Sequence, residues 1–156
     1  MFGTTTSNLL KRSLTTKIGE LEYTLEDIFY FKNGIFGFNN LRNFIVAELP
    51  CENTPDSYMC LQSMEQQDIT LIIADAAAGP RGDRLIDAAD LKVHLQARDL
   101  GFEDVAIFLV ATAHQESEKQ RISVNTKAPI ILAPDYKEGW QVVLESDAYE
   151  VRHYLS

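Results

Sequence analysis

The chain has 156 residues, of which 46% are hydrophobic and 24% are charged, a composition typical of one packed globular domain. Its 14 basic and 23 acidic residues leave a net charge of -9 and a pI of about 4.7. This surplus of acid argues against binding to nucleic-acid phosphates or anionic membranes as the main function, because both require clustered positive charge. It is compatible with a basic protein partner.

The polar start of the chain, Met1 to Ser13, shows no periodicity that would bury one face. We therefore expect residues 1–13 to form a flexible tail and residues 14–156 to form a single domain. The long apolar run of an export signal is missing, so we expect a cytoplasmic protein. Short apolar or β-branched runs bounded by polar residues predict the first strands, which lie at Leu21 to Tyr23, Asp27 to Phe31, Phe44 to Leu49 and Ile69 to Ala74.

One helix is predicted over residues 87–100. Asp87 suits its N-cap, and Ile86 and Leu91 have the spacing of a hydrophobic staple. Gly101 suits the position that ends the helix. Further strands are predicted at Val105 to Val110, Ile130 to Leu132 and Val142 to Leu144. Because a parallel sheet needs several helical crossovers, we expect a mainly β fold, a small antiparallel β-barrel-like domain with one surface helix.

The residue pattern does not indicate a catalytic centre, a metal site or a cofactor. The three histidines, His94, His114 and His153, lack the spacing of metal ligands. Two cysteines are too few for a disulfide scaffold, and the glycines match no phosphate-binding loop. Two alternatives remain open. One is a small-ligand-binding barrel or hydrolase with a pocket among Tyr30, Tyr58, His114 and acidic residues. The other is a nucleic-acid-binding barrel, which the surplus acid disfavours.

The segment from Phe31 to Phe38 is the most informative part of the chain. Gly34 and Gly37, three residues apart, suggest a backbone with positive φ or a close approach. Large apolar side chains lie between and after them. This segment either closes one end of the core or presents an aromatic group to a partner, because exposed apolar groups mark interfaces.

From about Leu14 onward, the chain resembles the family of the bacterial flagellar assembly factor FliW. The resemblance is carried, in order, by Gly19-Glu20-Leu21, Ile28 to Phe31, Gly34 to Phe38, Leu61-Gln62-Ser63, Ile72 to Asp75, Val124 to Ile130, Gln141 to Leu144 and Tyr149 to His153. Some positions depart from the family pattern. Phe36 and Glu150 stand where proline is usual, Cys60 stands where an aromatic residue is usual, and Ala76 follows Asp75 where proline is expected.

The resemblance implies a small β-barrel-like fold without enzymatic activity and with two protein partners. One is flagellin, held before export. The other is the carbon-storage regulator CsrA, a dimeric RNA-binding repressor of translation. Binding to CsrA would relieve the repression of flagellin mRNA. We expect a monomer that contacts neither nucleic acid nor membrane directly.

We assign candidate contact residues to each partner. A repressor that binds RNA must carry positive charge, so acidic residues would face CsrA. The residues assigned to it are Glu20, Glu22, Glu145, Asp147 and Glu150, with Tyr149 in the same C-terminal stretch. Flagellin would bind apolar residues and a nearby loop, for which the candidates are Ile35, Phe36, Phe38 and the Asn125 to Pro129 loop with Lys127.

Overall fold

The structure is a computed structural model, and it describes residues 10–50, 57–77 and 84–155. These ranges contain eleven strands, one α-helix and two short 3-10 helices. The strands are β1 (Arg12–Thr16), β2 (Gly19–Tyr23), β3 (Ile28–Tyr30), β4 (Asn43–Glu48), β5 (Tyr58–Ser63), β6 (Thr70–Asp75), β7 (Ala106–Glu116), β8 (Lys119–Val124), β9 (Ile130–Ala133), β10 (Glu138–Gln141) and β11 (His153–Tyr154). The helix is α1 (Ala88–Gln96), and the 3-10 helices are Leu25–Asp27 and Phe102–Asp104.

The main sheet closes on itself. Its nine strands run in the order β11-β8-β7-β6-β5-β4-β3-β10-β9, and β9 also pairs with β7. The hydrogen bonding from β7 through β4 to β9 therefore forms a ring. Every pairing is antiparallel except that of β3 with β10, which meet in parallel at Tyr30 and Glu138. The prediction of a mainly β domain with one helix is confirmed, whereas this parallel pair was not expected.

The ring buries apolar side chains on its inside and its outside. Phe31 and Phe44 lie in the inner core, where their rings meet edge to face with centroids 5.1 Å apart. Alternate residues of β4 point outward, because side chains alternate along a strand. Among them, Ile45 packs with Leu21 of the β1–β2 hairpin. A second outer cluster lies beneath helix α1 and the C-terminal segment.

Helix α1 begins as predicted and ends earlier than predicted. The Asp87 carboxylate accepts a hydrogen bond from the N–H of Ala89 at 2.9 Å, and Ile86 and Leu91 are buried in the same cluster. The last helical residue is Gln96. Asp99, at a φ of 56°, takes the left-handed position that was expected at Gly101, because aspartate tolerates that conformation.

No helix in the described ranges is long and apolar enough to cross a membrane.

The boundary expected between the N-terminal tail and the domain, after residue 13, lies too late in the chain. Strand β1 begins at Arg12, which pairs with Tyr23, and Ser13 pairs with Glu22. Residues 12 and 13 are therefore part of the β1–β2 hairpin. Residues 1–9 lie outside the described part of the chain.

The strand predicted at Val142 to Leu144 is wrong, although this segment continues the direction of β10. The N–H groups of Val142 and Leu144 donate to the carbonyls of Pro129 and Lys127, at 3.1 and 2.8 Å. A ladder needs bonds in the other direction too. Pro129 has no N–H to return, and the N–H of Lys127 donates to the Asn125 side chain at 3.0 Å instead.

Candidate partner-binding surfaces

A groove of about 430 Å³ opens between the turn at Gly34 to Phe36, helix α1 and strand β10. We call it the aromatic groove, and its lining includes Tyr30, Lys32, Phe36, Val93, Arg98, Glu138 and Trp140. Three of its apolar residues are strongly exposed, namely Phe36 at 55%, Val93 at 64% and Tyr30 at 42%. Exposed apolar side chains gathered at one groove mark an interaction surface.

The turn beside the groove decides which of its apolar residues reaches the surface. Gly34 has a φ of 66°, and a Cβ at this position would collide with the carbonyl oxygen of Phe38. The backbones of Ile35 and Phe38 are hydrogen-bonded to each other. Ile35 is only 3% exposed and belongs to the inner core, so its assignment as a contact residue is wrong. Phe38 is half-buried against that core, and Phe36 points outward.

One side chain that was not among the predicted contact residues joins the turn to the loop before β9. Gln141, at the end of β10, accepts a hydrogen bond from the N–H of Phe36 at 2.8 Å. Its amide nitrogen donates to the carbonyl of Ala128 at 2.9 Å. A single polar residue after an apolar one carries no sequence signal for this role. The two segments assigned to flagellin are thus adjacent, held together by Gln141.

The loop from Asn125 to Pro129 is mainly a structural element. The Asn125 side-chain oxygen accepts hydrogen bonds from the N–H groups of Lys127 and Ala128, both at 3.0 Å. Pro129 is buried, so its assignment as a contact residue is wrong. The Lys127 ammonium donates to the carbonyl of Ser146 at 3.0 Å. Asn125 and Lys127 hold the loop and the C-terminal segment in place.

The C-terminal carboxylates lie beside the start of helix α1. The Tyr149 hydroxyl accepts a hydrogen bond from the N–H of Asp87 at 3.0 Å and donates one to the Asp90 carboxylate. Burial and the bond to Asp90 raise the pKa of Tyr149. Glu145 and Asp90 line one cleft. We define the C-terminal acidic surface by its exposed carboxylates, Asp87, Asp90, Glu145, Asp147 and Glu150.

Asp87 and Asp90 were missing from the predicted acidic group. From the sequence Asp87 was assigned only to the helix start, and both aspartates lie more than fifty residues before Glu145. Glu150 also approaches His153, with Oε1 and Nδ1 3.5 Å apart. The packing of the C-terminal segment against α1 brings Tyr149 to Asp87 and Asp90 and brings Glu145 to the cleft of Asp90.

Glu20 and Glu22 do not share that surface, contrary to the expectation. They lie on β2, in a cleft with Asp27 and Glu48 that has no residue in common with the cleft of Asp90 and Glu145. Hydrogen bonds from Thr15 and Ser13 lower the pKa of Glu20. Glu22 forms an ion pair with Lys11 at 3.4 Å. Strand β2 packs over β4, on the side of the ring away from β9.

The residues of the alternative ligand pocket are not brought together. Tyr30 lines the aromatic groove, whereas Tyr58 packs against the outer cluster beneath α1, where burial raises its pKa. The His114 Nε2 atom lies 2.8 Å from the Ser123 hydroxyl, on the β7–β8 hairpin. In the part of the chain that the structure covers, no group of three or more His, Cys, Asp or Glu residues is arranged to hold a metal ion.

Comparison with known proteins agrees with this architecture. The sequence model of the family described as "FliW protein" matches residues 12–155. The flagellar assembly factor FliW of Thermotoga petrophila is 33% identical over 141 residues, which cover 90% of this chain and 91% of that protein. The protein of the same name from Caldanaerobacter subterraneus is 30% identical over 139 residues, covering 89% of each chain.

A solved structure supports the same assignment. A crystal structure of the flagellar assembly factor FliW superposes with a TM-score of 0.68 and 26% sequence identity, covering 93% of this chain and 97% of that one. The family match spans the hairpin, the ring, helix α1 and the C-terminal segment. The chain therefore belongs to the FliW family of flagellar assembly factors.

Proposed function

We propose that this protein is a non-enzymatic flagellar assembly factor that binds flagellin before export and also binds the translational regulator CsrA. Binding to CsrA relieves the repression of flagellin mRNA. Both encounters precede export, so the protein acts in the cytoplasm, and we propose that it does so as a monomer. Membership of a family named for flagellar assembly supports the flagellar role.

The aromatic groove is the site that we assign to flagellin. The single observation that carries this assignment is the exposure of Phe36, Val93 and Tyr30 around one groove. A segment with an apolar face removes apolar area from water when it docks there. Each Å² of apolar area removed contributes about 25 cal/mol of favourable free energy. The helix-in-groove mode of recognition uses surfaces of this kind.

The C-terminal acidic surface is the site that we assign to CsrA. An RNA-binding protein carries clustered positive charge, and five exposed carboxylates on one surface attract such a partner, namely Asp87, Asp90, Glu145, Asp147 and Glu150. The same charges repel the phosphates of a bound RNA. Attraction of this kind increases the association rate and weakens as salt screens it.

The flagellin assignment is tested with purified flagellin in size-exclusion and titration experiments. Phe36→Glu should weaken binding at least about tenfold and leave the melting temperature nearly unchanged, because the Phe36 side chain is exposed. The matched control is Phe102→Glu, the same change at an exposed phenylalanine outside the groove. Equal binding by the wild type and Phe36→Glu would remove the assignment, and elution of the free protein reports its oligomeric state.

The CsrA assignment is tested by charge reversal. Glu145→Lys combined with Asp147→Lys should slow association with CsrA, and the wild-type rate should fall as salt rises. The control reverses two carboxylates at the end of the β7–β8 hairpin, Glu116→Lys with Glu118→Lys. A wild-type rate indifferent to salt, or a double variant that binds normally, contradicts this site. A translation reporter with the flagellin leader tests whether binding relieves repression.

A further inference from the structure

The aromatic groove contains a guanidinium group that lies over an aromatic ring. Arg98 follows helix α1, and its Cζ atom lies 3.9 Å from the centroid of the Trp140 ring. Arg98 takes part in none of the ion pairs among the described residues. Those pairs are Lys11–Glu22, Arg121–Glu116, Lys137–Glu26 and His153–Glu150. The contact with Trp140 restrains the guanidinium group, and Arg98 is exposed, so its N–H groups stay available to a ligand.

The charge at the groove differs from that of the rest of the protein. Its lining carries Lys32 and Arg98 against the single carboxylate of Glu138, whereas the whole chain has a net charge of -9. Complementary charge favours the binding of opposite groups. A partner that occupies this groove therefore carries negative charge beside its apolar side chains, in contrast to the basic partner that suits the C-terminal acidic surface.

The turn beside the groove offers no backbone donors to a partner. The N–H groups of Gly34, Ile35 and Phe36 already donate within the protein. Strand β10 pairs with β9 along its length and with β3 only at Glu138. A helix suits the turn side of the groove, because a helix satisfies its own backbone and docks through side chains alone.

We infer that the aromatic groove binds an amphipathic helix that carries a carboxylate at one end of its apolar face, with Arg98 as the specificity-determining residue. A stacked guanidinium can bind a carboxylate through two parallel N–H···O hydrogen bonds, a geometry that lysine does not provide. The inference rests on the proposed function for the natural partner, flagellin.

The only tryptophan of the chain, Trp140, makes the test specific for the groove, because its fluorescence reports occupancy. The probes are three synthetic peptides with one shared leucine-rich amphipathic helix. The first ends its apolar face with glutamate and is amidated, the second has glutamine and a free terminal carboxylate, and the third has glutamine and is amidated. At least one carboxylate peptide should bind about tenfold more tightly than the neutral peptide at low salt. Their comparison shows whether a side chain or a chain end supplies the carboxylate.

Substitutions at Arg98 complete the test. Arg98→Gln should abolish the preference for the carboxylate peptides over the neutral peptide, and Arg98→Lys should restore only part of this preference. Arg152→Gln, at an exposed arginine outside the groove, is the matched control and should keep the preference. Equal affinities of the three peptides, failure of all of them to bind, or a preference that persists in Arg98→Gln would overturn the inference. Carboxylate peptides that bind through Arg98 while flagellin does not bind would support it and overturn the proposed partner.

Discussion

The hydroxyl of Tyr149 donates a hydrogen bond to the carboxylate of Asp90 and so joins the C-terminal segment to the first turn of helix α1. The same oxygen accepts the N–H of Asp87 at 3.0 Å. One phenol thereby caps the helix and places Glu145 and Asp90 along one cleft.

Removal of this hydroxyl should loosen the C-terminal segment. Tyr149→Phe leaves the ring in place but deprives Asp87 and Asp90 of a hydrogen-bond partner, which should lower the free energy of unfolding by about 1 kcal/mol. Urea denaturation measures the change. Tyr136→Phe, at a ring that is 64% exposed in the turn between β9 and β10, is the control and should be neutral. Equal stability of both variants with the wild type would show that the contact is not stabilising.

Gln141 should contribute both to stability and to the shape of the aromatic groove. Gln141→Leu removes the bonds to Phe36 and Ala128, leaving a backbone N–H and a carbonyl without these partners, and should cost about 1–2 kcal/mol. Flagellin binding should weaken as well, because the turn that carries Phe36 is no longer held. Gln120→Leu, on an exposed position of β8, controls for the loss of an amide. Unchanged stability and unchanged binding in Gln141→Leu would contradict this role.

Gly139 should tolerate no side chain, because a Cβ there would collide with the ring of the fully buried Phe31. Gly139→Ala should therefore lower the free energy of unfolding by about 1–3 kcal/mol. Combining it with Phe31→Leu should cost less than the sum of the two single changes, because the smaller side chain makes room. Gly101→Ala is the control, since its new methyl meets only the movable carboxylate of Glu103. Strict additivity in the double variant would rule out the collision.

Glu65 should make the stability of the folded protein depend on pH in the acidic range. Burial alone would raise its pKa, but hydrogen bonds from the Asn43 side chain and from the N–H groups of Asn43 and Arg42 hold the pKa below its ordinary value. A lowered folded-state pKa means that the stabilisation is complete above the unfolded pKa of about 4.3 and is lost as pH falls through the folded value.

Melting temperatures from pH 7 to pH 3 test the effect of Glu65. Glu65→Gln should be less stable than the wild type at pH 7, and the difference should shrink below about pH 4. Glu118→Gln, at an exposed residue of the turn between β7 and β8, should show no such convergence. A difference between Glu65→Gln and the wild type that stays constant with pH would exclude the carboxylate as its cause.

Local features were predictable from the sequence, because they depend on residues that are only a few positions apart. The start of helix α1 needs only the cap Asp87 and a hydrophobic staple between Ile86 and Leu91, five residues apart, and both are present. Its end was misplaced because Asp99 adopts the left-handed conformation that glycine usually takes. The strand at Val142 was predicted from its apolar side chains, but pairing also requires N–H groups, which Pro129 lacks and Lys127 directs elsewhere.

The candidate sites were predictable only in part. Phe36 is exposed as the aromatic-group interpretation expects, whereas its neighbour Ile35 closes the core, because the turn at Gly34 sends adjacent side chains in opposite directions. The roles of Arg98 and Gln141 depend on contacts between distant segments. A single sequence carries no signal for such contacts.

The pairing of β3 with β10 has a consequence for synthesis of the protein. Tyr30 must meet Glu138, so the ring cannot close until nearly the whole chain has left the ribosome. Until then, the edge of β3 and the apolar residues that face Phe31 remain without their final partners. Contacts between such distant residues slow folding and lengthen the time in which an unfinished chain can aggregate. Premature termination before β10 should therefore yield insoluble fragments rather than smaller folded proteins.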